Sequence, residues 1–210
     1  MIDTKHQISA VRRAIGDREL EAGQARVLTV SEVYDTDIDD LWDVVTSPER
    51  IPRWFLPISG DLTVGGHYQL EGNAGGTITR CDKPRSYAAT WEAMGQVSWI
   101  EVRLTPEGDG RTRFELEHVA HVGDDMWDQF GPGAVGIGWD MGFLGLANYM
   151  SDRDPTLDPK NGVAWAASAE GKEFMRLSGE AWAEAAIAYG DDPQAARERA
   201  DRVYAAYTGS

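Results

Sequence analysis

Hydrophobic residues change their spacing several times along this chain, and each change marks an element. Ile38, Leu41, Trp42 and Val45 recur at i, i+3, i+4 and i+7, the apolar stripe of a helix, with Asp37 placed to cap it. A second short helix is expected directly afterwards. Ser47 is its cap, Pro48 its first helical position and Glu49 its acidic first turn, and Trp54 and Phe55 close it before Pro57. Upstream, residues 25–34 alternate imperfectly and predict a first strand. Downstream of Gly60, the segments DLTV, HYQLEG, GTITRCD, SYAATWEA, SWIEVRLTPE and RTRFELEHVA read as further strands. Gly65-Gly66, Gly72-Asn73, Lys83-Pro84, Gly95 and Gly108-Asp109-Gly110 supply turn chemistry between them.

Alternation is cleanest in the last two strands. Ile100, Val102 and Leu104 share one face, and Phe114, Leu116 and His118 share another. Glu101, Arg103, Arg113 and Glu115 point the opposite way, where they can pair across strands. A long apolar helix follows from about Pro132 to Met150. Val135, Trp139, Phe143 and Leu146 lie on one stripe, and Gly138, Gly142 and Gly145 form a second line. Interior glycines cost a helix roughly 1 kcal/mol each, so close packing or space for a ligand must account for them. Prolines then break the chain before two further helices, about 162–189 and 193–207. Trp165, Phe174, Trp182, Val203, Tyr204 and Tyr207 give these an apolar face that must dock on the rest of the chain or on another subunit. Three segments result: a polar, loosely tied lead-in (1–24), a main domain (25–150) and a helical extension (151–210).

Charge narrows the partners. A formal net charge of -15 with 20 Lys and Arg against 35 Asp and Glu argues against nucleic acid, which is bound through basic patches. No apolar run reaches the roughly 20 residues of a membrane span, and the N-terminus lacks the apolar core of a signal peptide. Membrane insertion is therefore not expected, and a cytoplasmic location is the simplest expectation. The single cysteine, Cys81, excludes an internal disulfide and is expected to be a buried strand residue.

Candidate chemistry is sparse. Residues 131–136 match G-x-G-x-x-G, but no strand precedes them and no second parallel strand follows, so they are not read as a dinucleotide site. His118 and His121 point to opposite faces at strand spacing, so no metal site is expected; no cofactor is expected either. His118 faces inward, either satisfied by the core or available to orient a ligand or move a proton. The strongest signal is aromatic: 8 Trp among 210 residues. Trp42, Trp54, Trp91, Trp99 and Trp139 either line a cavity or fill a solid core.

The segments SPERIPRWF, SGDLTVGGHYQLEG, Thr90-Trp91-Glu92, SWIEVRLTPEGDGRTRFELEH and Gly138-Trp139 occur in one order between Arg26 and Met150. In this the chain resembles the SRPBCC (START/birch-pollen-allergen-like) superfamily, and within it the homologues of the activator of heat-shock-protein-90 ATPase. The resemblance implies an α+β helix-grip fold, in which a curved antiparallel sheet of about seven strands wraps a long C-terminal helix with a cavity between. It implies a carrier for a small hydrophobic molecule, with Trp54, Phe55, Tyr68, Trp91, Trp99, Phe114, His118 and Trp139 shaping the cavity and His118 as polar anchor. Two alternatives stand beside it. One is a cyclase or dehydratase of the polyketide type using His118 as acid–base. The other is a protein-interaction module that contacts a chaperone or forms a homodimer through residues 161–207.

Overall fold

The computed structural model describes residues 3–151 and 154–209. Eight antiparallel strands form one sheet in the order β1-β2-β8-β7-β6-β5-β4-β3. In chain order these are β1 (Arg12–Leu20), β2 (Gly23–Tyr34), β3 (Ile58–Gly60), β4 (His67–Leu70), β5 (Gly75–Asp82), β6 (Ser86–Ala93), β7 (Gln96–Gly108) and β8 (Arg111–Ala120). Leu28, Val30, Val102, Leu104, Phe114 and Leu116 belong to the main core cluster. Against the sheet's inner face lie α2 (Ile38–Thr46) and α4 (Gly133–Met150), and the Phe114 and Phe143 rings stack across that layer at 5.0 Å. The architecture is the helix-grip arrangement. Asp37 caps α2 as expected, accepting from the Asp40 N–H, and Leu41, Trp42, Val44 and Val45 are its buried side.

The N-terminal segment departs from the sequence reading. Residues expected to be a loose lead-in form a short helix, α1 (Thr4–Ala10), and then β1, paired with β2 from Arg12↔Ser31 to Leu20↔Gly23. Charge hid this strand. Arg18 donates to both carboxylate oxygens of Glu117 at 2.8 and 3.0 Å. Arg13 turns into the protein, where its Nε lies 3.0 Å from Asp140 Oδ2, with side-chain exposures of 5% and 1%. A strand whose long cations are consumed by partners on other elements does not show a hydrophobic alternation.

Other differences have local causes. The second helix expected from Pro48 is only a 3-10 turn, Ile51–Arg53, because Pro52 has no N–H to continue an α-helix; Ser47 ends α2 and its hydroxyl also accepts from the Glu49 N–H of the following turn. The DLTV segment is a turn, since Asp61 accepts from the N–H and hydroxyl of Thr63, and the short strand lies just before it. Cys81 is exposed on the outer half of β5 rather than buried. The expected long helix 162–189 is divided into α5 (Gly162–Ala167) and α6 (Ala169–Tyr189) at Ser168, whose hydroxyl accepts from the Gly171 N–H as an N-cap.

The extension docks on its own chain. With α3 (Asp124–Phe130) and α7 (Pro193–Thr208), α6 completes a helical layer behind α4. Phe174 and Trp182 are fully buried and Val203 nearly so, whereas Tyr207 stays 37% exposed, so the centre of the apolar face assigned to docking is covered internally and its end is not. Trp182 explains part of the glycine pattern: a Cβ on Gly136 would lie 2.2 Å from its ring, and one on Gly145 would lie 2.2 Å from the Trp54 carbonyl. The G-x-G-x-x-G run is thus a helix-packing surface, with Gly133 against Val203 and Gly131 ending α3.

These contacts separate two glycines of one helix. Gly136→Ala is expected to lower stability by about 1–3 kcal/mol through overpacking against Trp182. Gly138→Ala, whose Cβ would meet only the Tyr207 hydroxyl at 3.7 Å, should be neutral or stabilise by up to about 1 kcal/mol through helix propensity. Urea unfolding of the two variants beside the parent chain measures the contrast.

Candidate functional site

Sheet, α2 and α4 enclose a cavity of about 280 Å³. Period-two alternation aims Tyr87, Ala89 and Trp91 of β6, Ile100 of β7, and Phe114 and Leu116 of β8 into it, while Trp42 and Val45 come from α2. Trp54 and Phe55 hang from the turn after α2, fixed by the Trp54 indole N–H donating to the Val44 carbonyl at 3.0 Å. Trp139 enters from α4. The lining is overwhelmingly apolar. Its polar atoms are few: the Tyr68 hydroxyl is committed to the Thr90 carbonyl at 2.7 Å, whereas the Tyr87 phenol makes no hydrogen bond within the described residues. Burial raises both phenols well above the usual tyrosine range. Lys83 and Cys81, both exposed, complete the lining on the solvent side.

Six of the eight expected site residues therefore line one space: Trp54, Phe55, Tyr68, Trp91, Phe114 and Trp139. Trp99 does not. Its neighbour Ile100 faces in, so Trp99 faces out, 36% exposed and edge-on to His121 at 5.8 Å. Sequence reasoning named Trp42 among the cavity-or-core tryptophans without placing it in the expected site, and it missed Tyr87; the two rings meet edge to face at 6.2 Å. The helical stripe and the Tyr87-Ala89-Trp91 alternation were the signals that would have found them.

His118 is not at the cavity surface. It sits behind Trp91 and Trp139, with ring centroids 6.2 and 5.7 Å away, and is 5% exposed. The Trp139 indole N–H donates to Nδ1 at 3.0 Å. An indole nitrogen only donates, so Nδ1 must be the acceptor and Nε2 carries the proton. Nε2–H then donates to Ser98 Oγ at 2.8 Å, and Ser98 donates on to the Trp91 carbonyl at 3.0 Å. Both ring nitrogens are consumed in orienting the two tryptophans. Burial pushes the imidazole down to about 4, so it is neutral at pH 7. His121, on the other face, bonds the Gln24 carbonyl at 3.0 Å. Among the described residues no three His, Cys, Asp or Glu side chains gather as a metal would need.

A second space adjoins the first. A groove of about 500 Å³ runs between α4 and residues 157–166, and Trp54, Phe55, Trp91 and Trp139 line both spaces. Phe55 stacks on Trp54 at 5.4 Å and on Trp139 at 6.3 Å, and Trp139 lies 4.9 Å from Trp91. The partition between the spaces is a layer of aromatic rings.

The buried His118 carries a pH signature. The folded state holds it neutral while the unfolded chain takes up a proton below about 6.5, so stability is complete above that value and falls as the pH drops towards about 4. Between pH 7 and pH 5 this one group should remove about 2 kcal/mol. Urea unfolding should show that increment in the parent chain and not in His118→Gln.

Comparison with known proteins agrees with this geometry. A sequence profile of the family described as activator of Hsp90 ATPase homolog 1-like protein matches residues 35–151. The crystal structure of CalU16 from Micromonospora echinospora is 35% identical, with a TM-score of 0.68, over 85% of this chain and 99% of that one. Protein MLL2253 from Mesorhizobium loti, at 19% identity and a TM-score of 0.54, covers 61% of this chain and 99% of its own. PFC0360w, an HSP90 activator from Plasmodium falciparum, is 20% identical with a TM-score of 0.50, over 59% of this chain and 94% of that one; these last two show likeness of fold. No curated protein matches the chain. No helix among the described residues is long and apolar enough to cross a membrane. With more than half of its length matched by the profile, the chain belongs to the family of activator of Hsp90 ATPase homolog 1-like proteins.

Proposed function

We propose that this protein binds a small, mainly apolar molecule in the cavity between sheet and α4, and that binding rather than chemistry is its task. The observation that carries this reading is the aromatic wall itself: Trp42, Trp54, Phe55, Trp91 and Trp139 surround open volume instead of interlocking. Apolar concavities with few, well-placed polar groups are the usual form of a small-molecule site. The free Tyr87 phenol inside and the Lys83 ammonium at the solvent side, which has no ion-pair partner among the described residues, favour a guest with one polar or anionic group.

The catalytic alternative loses its residue. Use of His118 as acid–base would require breaking bonds to Trp139 and Ser98 that hold the cavity wall together, and its depressed pKa leaves it as neutral imidazole, without the acidic imidazolium proton, near neutrality. A chaperone contact rests on the family's description alone, and of the face offered for a homodimer through residues 161–207 the largest members, Phe174 and Trp182, are already buried within the chain while Val163, Tyr189 and Tyr207 stay exposed.

The test uses 1-anilinonaphthalene-8-sulfonate, an aromatic body with one anionic group. Saturable binding with a blue-shifted emission is expected. Ala89→Phe, which places a ring in the cavity from a position 1% exposed, should weaken it at least tenfold with the far-ultraviolet circular dichroism unchanged; Leu116→Trp fills the same space from β8. Lys83→Ala should weaken it several-fold, and bound probe should slow maleimide labelling of Cys81, the chain's single cysteine. Unaltered affinity in both filled variants would remove the cavity as the binding site.

A further inference from the structure

A bulge in β5 decides which of its side chains meets the helix-grip cavity. Pairing with β6 runs Ile78↔Ala89, then Arg80↔Ala88 and Cys81↔Tyr87, one residue out of step. Ile78 and Ala89 line the cavity, and unbroken alternation would aim Arg80 inward next. The extra residue instead turns Arg80 out to Glu101 on the opposite face and turns Cys81 in beside Tyr87. Bulges re-aim side chains in this way at functional sites.

Two neighbours distinguish this thiol from an ordinary surface cysteine. Directly paired residues of an antiparallel sheet hold their Cβ atoms roughly 5 Å apart, so Tyr87 adjoins Cys81 on the cavity face. Its phenol is enclosed by protein and makes no hydrogen bond among the described residues, yet Tyr87 borders the open volume. An enclosed donor without an acceptor is costly, and burial keeps the proton on this phenol, so it is available to an oxygen of a guest. Lys83, two residues from the thiol, brings an ammonium without an ion-pair partner among the described residues to the same rim. Thiol, phenol and ammonium thus share one corner of an otherwise apolar chamber.

We propose that Cys81 is a covalent capture site for a small apolar α,β-unsaturated ketone or aldehyde, with the Tyr87 phenol donating to the carbonyl oxygen. The thiolate is the nucleophile. Its sulfur bonds the β-carbon as the C=C π bond breaks, and the electron pair moves onto the oxygen, where the Tyr87 O–H stabilises the enolate. The α-carbon then takes a proton from water, replacing the one the thiol released, and a thioether remains. No oxidant or reductant is consumed. This inference rests on the cavity being a small-molecule site and adds a bond to what the aromatic wall otherwise only holds.

4-Phenylbut-3-en-2-one and 4-phenylbutan-2-one test it, since they share a skeleton and only the first has an electrophilic carbon. Intact-mass spectrometry of the full chain should show one equivalent of the enone added, and peptide mapping should place it on Cys81. The rate should saturate with enone concentration, and the saturated ketone should compete. Taken relative to iodomethane alkylation of the same thiol, the rate should fall at least tenfold in Tyr87→Phe. Ala89→Phe, which fills the cavity, should slow adduct formation by a similar factor. A rate that stays linear in enone and is unchanged by Tyr87→Phe would overturn the capture site and leave Cys81 an ordinary thiol. Saturable binding of the saturated ketone with no enone adduct would overturn it while the cavity stands as a carrier site. Absence of binding by both ketones would remove the carrier reading as well.

Discussion

The structure depends on one buried ion pair. Asp140 of α4 accepts through Oδ2 from Arg13 of β1, from the Ser178 hydroxyl and from the Trp182 indole of α6. Arg13 also donates through Nη1 to the Ile8 and Val11 carbonyls. One carboxylate therefore ties the N-terminal hairpin, the grip helix and the extension together. Burial raises the Asp140 pKa and the neighbouring Arg13, Ser178 and Trp182 oppose that shift. Asp140 Oδ1 and Arg13 Nη2 are buried without partners, so the pair is not an optimised source of stability. Its effect is positional: few other arrangements of β1, α4 and α6 would leave both charges compensated.

That fixed position has consequences for the hollow. Because α4 is held from behind by Asp140 and by the Gly136–Trp182 contact, it need not sink into the sheet to bury its remaining side. Trp139, one residue from Asp140, is turned towards the sheet and locked by His118 and Ser98. His118, which the sequence offers as a candidate acid–base, is held here with Ser98 as a brace for two indoles. Open volume persists because large rings are pinned at their edges by hydrogen bonds and stacking rather than left free to collapse.

The sequence made the helix-grip order legible because it is written in periodicity. Strands β6 to β8, the Asp37 cap and the long helix all follow from spacing. Charges obscured β1, because Arg13 and Arg18 pair with Asp140 and Glu117, residues 127 and 99 positions away, and no local pattern signals that. At the site, six of the residues singled out for their aromatic content border the cavity. Trp99 was misplaced by treating composition as location, although its alternation with Ile100 already put it outside. The second groove was not legible at all: it exists only where residues 157–166 return beside α4, a juxtaposition set by tertiary packing.

The Arg13–Asp140 pair also bears on what is inherited as a unit. The segment shared across the family, residues 35–151, includes Asp140 but omits Arg13, Ser178 and Trp182, and it omits β2, which hydrogen-bonds the length of β8. Excised at those limits, it would expose a raw sheet edge and strand a carboxylate without its counter-charge. An exchange at position 140 alone would take the shared acceptor away from Arg13 of the N-terminal hairpin and from Ser178 and Trp182 of the extension at once.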